Sequence, residues 1–212
     1  MLKTRSLFGI SVFWLALSML ADGMNSLVLP AALLGVVPAS GQATVLGLLS
    51  FAGLLAAALI QPAAGAWSDR LRPRWGRRGF LAPGLVLILI GLIIFGIGAT
   101  LPFVAVGYLV ALIASSIAQA GQQGFIPDLA PPAQRGQASG WKSLMDLAGA
   151  MLGFVLLGQL LGSGQVRLAL AVMGAVLLLA FALTLALVRE PRVVSASAAV
   201  VRTDLASMYR LD

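Results

Sequence analysis

Residues Gly65 to Arg78 form the stretch GAWSDRLRPRWGRR, which places five arginines and one aspartate between two long apolar segments. Each of these segments is long enough to cross a bilayer, since a helical span needs about 20 apolar residues. The stretch is therefore predicted to be a short cationic loop at one face of a membrane.

The composition of the whole chain supports this interpretation. Of its 212 residues, 60% are hydrophobic and 10% are charged, whereas soluble domains are about 45 to 50% apolar. Strands of a membrane barrel would be half as long and would alternate polar with apolar residues, but Leu85 to Gly98 show no alternation. The sequence thus predicts an all-α integral membrane protein.

Six apolar windows reach the length of a membrane span and are predicted to be transmembrane helices. The windows are 7–31, 45–67, 79–100, 103–126, 140–161 and 168–188. The connections between them are short, the first running from Ala32 to Thr44, so residues 1–190 are expected to form one antiparallel six-helix bundle. Residues 191–212 are too polar to span and are predicted to be a cytoplasmic tail.

The distribution of Lys and Arg predicts how the chain is oriented. With both termini in the cytoplasm, thirteen of the fourteen basic residues lie at the inner side or at inner helix ends, and Arg167 lies outside. Because inner loops are enriched in Lys and Arg, we expect a multi-pass protein of a bacterial plasma membrane with cytoplasmic termini. The net charge of +7 then reflects topology and contact with anionic lipid, and it requires no nucleic-acid partner.

Missing residue types exclude several kinds of chemistry. The chain has no cysteine and no histidine, so neither a disulfide framework nor the common transition-metal sites are expected. A Ser-His-Asp triad is excluded for the same reason. The sequence indicates neither an enzyme nor a metal or organic cofactor.

Six residues of the cationic loop resemble the signature G-x-x-x-D-R-x-x-x-x-x-G-R-R of the major facilitator superfamily. They are Gly65, Asp69, Arg70, Gly76, Arg77 and Arg78. The run from Arg74 to Arg78 is most similar to the sugar:cation branch, which contains glycoside and sucrose symporters. The turn before the fifth window, around Arg135, also resembles the matching turn of these transporters.

The resemblance implies a transporter half. Members of this type have about twelve spans in two six-helix halves that hold the solute between them, so this chain would be the N-terminal half and 191–212 would resemble the interdomain linker. The second half could be a missing C-terminal part, a separate chain or another copy of this one. The implied activity is proton-coupled transport of a small polar solute, a sugar or glycoside, by alternating access. The alternatives are half of an efflux carrier and a nontransporting interaction module.

The resemblance also implies that the cationic loop acts as a gate. In the superfamily such a cluster closes the cytoplasmic side, so the six signature residues and Arg135 are the implied gating residues. The residues themselves allow Asp69 to pair with Arg70 or Arg78, or to bind the N-terminus of a facing helix. The alternative is a lipid-facing charge cluster that only sets the topology.

Asp22 is the clearest candidate for the transport path, because a charge at the centre of a span costs about 2.5 to 3.5 kcal/mol. Helical spacing places four polar residues of this window on one face: Ser11, Ser18, Asp22 and Asn25. We expect that face to line a polar cavity, with Asp22 as the proton acceptor. The alternative is a carboxylate bonded to local hydroxyls.

Polar residues of the fourth and fifth windows are further candidates for the solute path. Lys142 precedes Asp146 by one helical turn, so the two could form a structural ion pair or bind solute. Gln119, Gln122 and Gln123 could bond a polyhydroxyl solute or bond across to the helix of the first or fifth window.

Two further patterns affect the mechanism. Ala57 and Gln61 stand where melibiose-like symporters have two acidic residues for sodium, which favours proton coupling or facilitated movement over sodium coupling. Gly149 and Gly153, with Ala148 beside them and Gly158 further on, form a surface of small residues in the fifth window. Such a surface permits either tight helix packing or a rocking motion.

Overall fold

The computed structural model describes residues 4–188, apart from the side chains of 72–75 and 78. This part of the chain consists of helices joined by short connections and contains no strand. The helices are α1 (Thr4–Gly23), α2 (Leu29–Val36), α3 (Ala39–Ile97), α4 (Leu101–Gln123), α5 (Phe125–Leu129), α6 (Arg135–Gly162) and α7 (Val166–Leu187). A π-helix, Met24–Val28, joins α1 to α2, and a 3-10 helix, Pro132–Gln134, precedes α6.

Within residues 4–188, six helical segments are long and apolar enough to cross a membrane. We number them spans 1 to 6: Thr4–Val36, Ala39–Leu71, Gly79–Ile97, Leu101–Leu129, Pro132–Gly162 and Val166–Leu187. The predicted all-α fold with six membrane-length helices is therefore confirmed. The predicted tail, 191–212, lies outside the described residues.

The ends of the spans differ from the predicted windows where backbone chemistry, rather than polarity, stops a helix. Span 1 continues to Val36 because Val37 precedes Pro38, which disfavours helical geometry, and Val37 is extended. The connection predicted from Ala32 to Thr44 thus contains only two non-helical residues. Span 3 ends at Ile97, before the predicted residue 100, because the backbone is already extended at Gly98.

The predicted cationic loop from Gly65 to Arg78 is helical except at one residue. Gly76 has φ 68° and ψ 173°, a conformation that is essentially restricted to glycine because it lacks a Cβ atom. The change of direction between spans 2 and 3 is concentrated there. The neighbouring arginines are good helix formers, so the helix continues past the apolar stretch instead of opening into a loop.

The burial pattern distinguishes a central helix from peripheral ones. Span 1 lies in the core, and its Phe13, Leu17 and Leu20 are fully buried. Span 2 is mostly exposed, including Phe51 and Leu59. Span 1 is therefore the helix around which the bundle packs.

Close backbone approach at glycines holds the spans together. Span 5 crosses span 1 so closely that a Cβ atom on Gly149 would overlap the carbonyl of Leu15. Gly153 of span 5 also faces span 1, at Met19, whereas Gly158 faces open space. Since apolar helices gain little hydrophobic attraction in lipid, such contacts supply much of the packing energy. The small-residue surface is thus a tight helix–helix contact in this structure.

This geometry predicts that Gly149→Ala destabilises the bundle by about 1 to 3 kcal/mol, the usual cost of overpacking a close contact. Gly158→Ala is the matched control, since its added methyl group meets no atom within 4 Å. Thermal unfolding in detergent, followed by tryptophan fluorescence, should show a lower midpoint for Gly149→Ala alone. Equal midpoints for the two variants would contradict the proposed contact.

Candidate functional site

Arg77 is the centre of a charged cluster beyond the end of span 2. Its side chain is only 8% exposed, and it forms ion pairs with Asp69 at 2.6 Å and with Asp128 at 2.8 Å. It also donates a hydrogen bond to Ser68 Oγ at 2.9 Å. We call these four residues the Arg77 cluster. The cluster joins the connection between spans 2 and 3 to the end of span 4.

Local backbone features make room for this arginine. The guanidinium lies against Gly124, where a Cβ atom would overlap it. Burial alone would lower the pKa of Arg77, but hydrogen bonds from its guanidinium to Asp128 and Asp69 outweigh that effect and raise the pKa. Arg77 therefore remains a cation inside the cluster.

The predicted gating residues occupy different environments. The carboxylate of Asp69 pairs with Arg77, a partner that the sequence analysis did not assign to it. Arg70 is exposed, and the side chain of Arg78 lies outside the described part. Arg135 is exposed and donates to the carbonyl of Pro127 at 3.3 Å.

Gly65, the first residue of the signature, is half-buried and faces open space on its Cβ side. Asp128 was missed by the sequence analysis. It lies at the end of span 4, at the same face of the bundle as the arginines, so complementary charge at one face is the signal that could have found it.

The polar residues of span 1 do not share one surface as predicted. Ser11 is fully buried, because span 4 covers this end of span 1, where Gln122 donates to the carbonyl of Ile10 at 2.8 Å. Asp22, in contrast, is exposed and has no ion pair or hydrogen bond within the part of the chain that the structure describes. Asp22 is therefore an unpaired carboxylate in the middle of a span.

Asn25 lies in the π-helix of span 1, one turn beyond Asp22. It donates to the carbonyl of Ala21 at 2.8 Å and accepts a hydrogen bond from the hydroxyl of Tyr108 in span 4. A π-turn inside an α-helix is often found at functional sites, because it reorients side chains. Tyr108 is fully buried and was not singled out from the sequence, since a lone tyrosine in an apolar helix gives no distinctive signal.

Lys142 and Asp146 form the ion pair that their spacing allowed, at 2.7 Å. Asp146 also accepts a hydrogen bond from Ser18 Oγ of span 1 at 2.9 Å. The ammonium of Lys142 lies 3.9 Å from the centre of the Trp14 ring, a favourable cation–π distance. These contacts form a half-exposed polar bridge between spans 1 and 5.

The three glutamines of span 4 face different surroundings. Gln122 is fully buried and binds span 1 as described above, and its Oε1 atom has no partner. Gln119 accepts a hydrogen bond from Gln61 of span 2 at 3.4 Å, and Gln123 is exposed. Of the three, Gln122 thus has the helix-bonding role that was the alternative to solute binding.

Comparisons with known proteins agree with this architecture. Residues 6–207 match the family model of the Major Facilitator Superfamily, and the chain belongs to this superfamily. A crystal structure of a D-xylose-proton symporter superposes with a TM-score of 0.63 and 19% sequence identity, over 98% of this chain and 52% of that one. At that identity the likeness shows the fold alone, and the chain spans about half the length of that symporter. A comparison with curated proteins found no match.

The Arg77 cluster predicts unequal roles for its two carboxylates. Asp128 is 13% exposed and Asp69 is 66% exposed. Asp128→Asn should therefore cost about 1 to 3 kcal/mol by weakening a buried charge-assisted hydrogen bond. Asp69→Asn removes the same charge from a carboxylate that remains mostly in contact with solvent and should cost less than about 1 kcal/mol. Unfolding midpoints in detergent test this order, and an equal loss in both variants would refute it.

Proposed function

We propose that this chain is the N-terminal six-helix half of a secondary transporter. It moves a small polar solute, a sugar or glycoside, by alternating access, and a proton gradient drives the movement. Membership of the superfamily supports solute transport in general. The match to about half of a longer symporter supports a second six-helix half, which is the C-terminal part of the same protein, a separate chain or a second copy.

Asp22 is the observation on which proton coupling rests. Its carboxylate lies near the middle of span 1 and is exposed and unpaired among the described residues. Because an ionised side chain in lipid is costly, such a residue normally faces a protein interior or a water-filled cavity. Exposure of Asp22 in an isolated half therefore favours a cavity that the second half completes. A carboxylate placed there can bind a proton on one side of the membrane and release it on the other.

Hydrogen-bonding groups on spans 1, 4 and 5 favour a hydroxylated solute. Asn25, Gln119 and the Lys142–Asp146 pair are half-buried, and Gln123 is exposed. They offer both donors and acceptors, as the hydroxyl groups of a sugar require. Apolar drugs would need few of these groups, so we prefer sugar transport to efflux.

The Arg77 cluster is the proposed gate. Arg77 and Asp128 fix the connection between spans 2 and 3 to span 4, while Asp69 remains mostly exposed. The exposed side of the Asp69 carboxylate can thus also engage the positive N-terminus of a helix in the second half when this side closes. Since this face holds nearly all the arginines, we assign it to the cytoplasm of a bacterial cell. Both termini then lie on the cytoplasmic side, and 191–212 is the linker to the second half.

Asp22→Asn is expected to abolish the solute accumulation that an imposed pH gradient drives, because an amide cannot take up a proton. Exchange of labelled for unlabelled solute at equal pH should continue, since exchange requires no net proton movement. Proteoliposomes containing the full chain, together with any second half that native mass spectrometry identifies, are tested with radiolabelled D-xylose and a panel of mono- and disaccharides. D-xylose is the first probe because a symporter of that sugar has the same fold.

Asp204→Asn is the control for charge, since it removes one carboxylate from the 191–212 segment. It should accumulate solute as the wild type does. Undiminished accumulation by Asp22→Asn would contradict proton coupling at this residue. Failure of the wild type to move any sugar, with or without a second half, would contradict the transport proposal and favour the nontransporting alternative.

A further inference from the structure

A groove runs between spans 3 and 6, away from the residues of the proposed transport path. Its volume is about 590 Å³, well within the range of about 300 to 1,000 Å³ that is typical of ligand pockets. Ile93 and Gly96 of span 3 and Leu170 and Ala171 of span 6 line it. The groove is apolar except at one end, where Arg167 contributes to its rim.

Arg167 is placed where a cation has little reason to be without an anion. It lies in the first turn of α7, at the positive end of the helix dipole, which disfavours a basic side chain. It is exposed and has no ion pair or hydrogen bond among residues 4–188. It is also the one Lys or Arg of those residues at the face opposite the Arg77 cluster. An unpaired cation therefore stands at the mouth of an apolar groove.

The two helices that form the groove differ from the others in having almost no polar side chains. Span 3 has none, and span 6 has only Arg167 and Thr184. Thr184 is buried and bonds the carbonyl of Ala180 at 2.9 Å. The candidate residues of the transport path lie on spans 1, 4 and 5. The groove therefore opens on the side of the bundle that suits hydrocarbon rather than a polar solute.

We propose that this groove binds an anionic phospholipid, with one acyl chain along spans 3 and 6 and the phosphate paired with Arg167. The positions support this occupant, because Arg167 lies at the end of span 6, where a membrane-length helix reaches the headgroups, and the apolar lining continues from it along spans 3 and 6. An arginine fork matches the geometry of phosphate oxygens. The missing side chain of Gly96 helps to open the groove, since a Cβ atom there would lie 3.1 Å from Leu170.

Native mass spectrometry of the full chain with defined lipids tests this site. Palmitoyl-oleoyl phosphatidylglycerol is the anionic probe, and the phosphatidylcholine with the same acyl chains is the zwitterionic comparison. The wild type should retain one phosphatidylglycerol in preference to phosphatidylcholine. Arg167→Gln should weaken phosphatidylglycerol binding about fivefold, to the level of phosphatidylcholine. Arg167→Lys should keep most of the preference because it keeps the charge.

Two matched controls separate the site from general effects of charge and bulk. Arg5→Gln removes an exposed arginine from the opposite face and should leave the lipid preference unchanged. Ala171→Phe should fill the groove and remove the bound lipid. Ala175→Phe, one turn further along span 6 and outside the groove lining, should not. Equal binding of the two lipids by the wild type, or an equal effect of Arg5→Gln and Arg167→Gln, would overturn the proposal.

A photo-crosslinking residue at Ile93, which is 61% exposed, identifies the occupant directly. An adduct with the mass of a phospholipid supports the proposal. An adduct to a second protein chain, or to a distant segment of the same chain, would overturn it by showing that protein covers the groove.

Discussion

Hydrogen bonding of the backbone inside hydrocarbon is the constraint on which the rest of this structure depends. A peptide group without a partner there costs several kcal/mol, so each segment that crosses has to be helical. Once helical, the segments gain little from hydrophobic attraction to one another and must pack closely instead. The bundle does so at glycines: Gly149 meets the backbone of Leu15, and Gly91 meets that of Ala111. The positions of these glycines therefore determine which helices touch.

Polar contacts act where this packing is weakest. Span 2 is mostly exposed, and the Arg77 cluster and the Gln61–Gln119 hydrogen bond join it to span 4. Charged and amide contacts of this kind can break and re-form without leaving a cavity, unlike an interlocked apolar surface. Span 2 also packs against span 4 at Gly53, where a Cβ atom would lie 2.8 Å from Leu112. The helix that carries the family signature thus combines close packing with polar contacts suited to movement, whereas the central span 1 is held by close packing.

The sequence was sufficient for the features that depend on local properties. Apolar length alone predicted six spans, and i,i+4 spacing alone allowed the Lys142–Asp146 pair. Contacts between distant segments could not be predicted in this way. Arg77 and Asp128 are 51 residues apart. Helical periodicity shows which residues share one face of a helix, but it does not show which other helix that face contacts. The π-helix of span 1 is a further example, since its extra residue shifts every face beyond Met24 relative to a regular helix.

The distribution of polar side chains gives the bundle two unlike sides. Spans 1, 2, 4 and 5 bear most of the amides and charges, including an unpaired Asp22, whereas span 3 has no polar side chain. A helix without polar side chains is stable either in contact with lipid or in an apolar protein core. A helix with an ionisable group at membrane depth is stable only beside water or protein. The side that includes Asp22 is therefore suited to water or protein, and the side formed by spans 3 and 6 is suited to the bilayer.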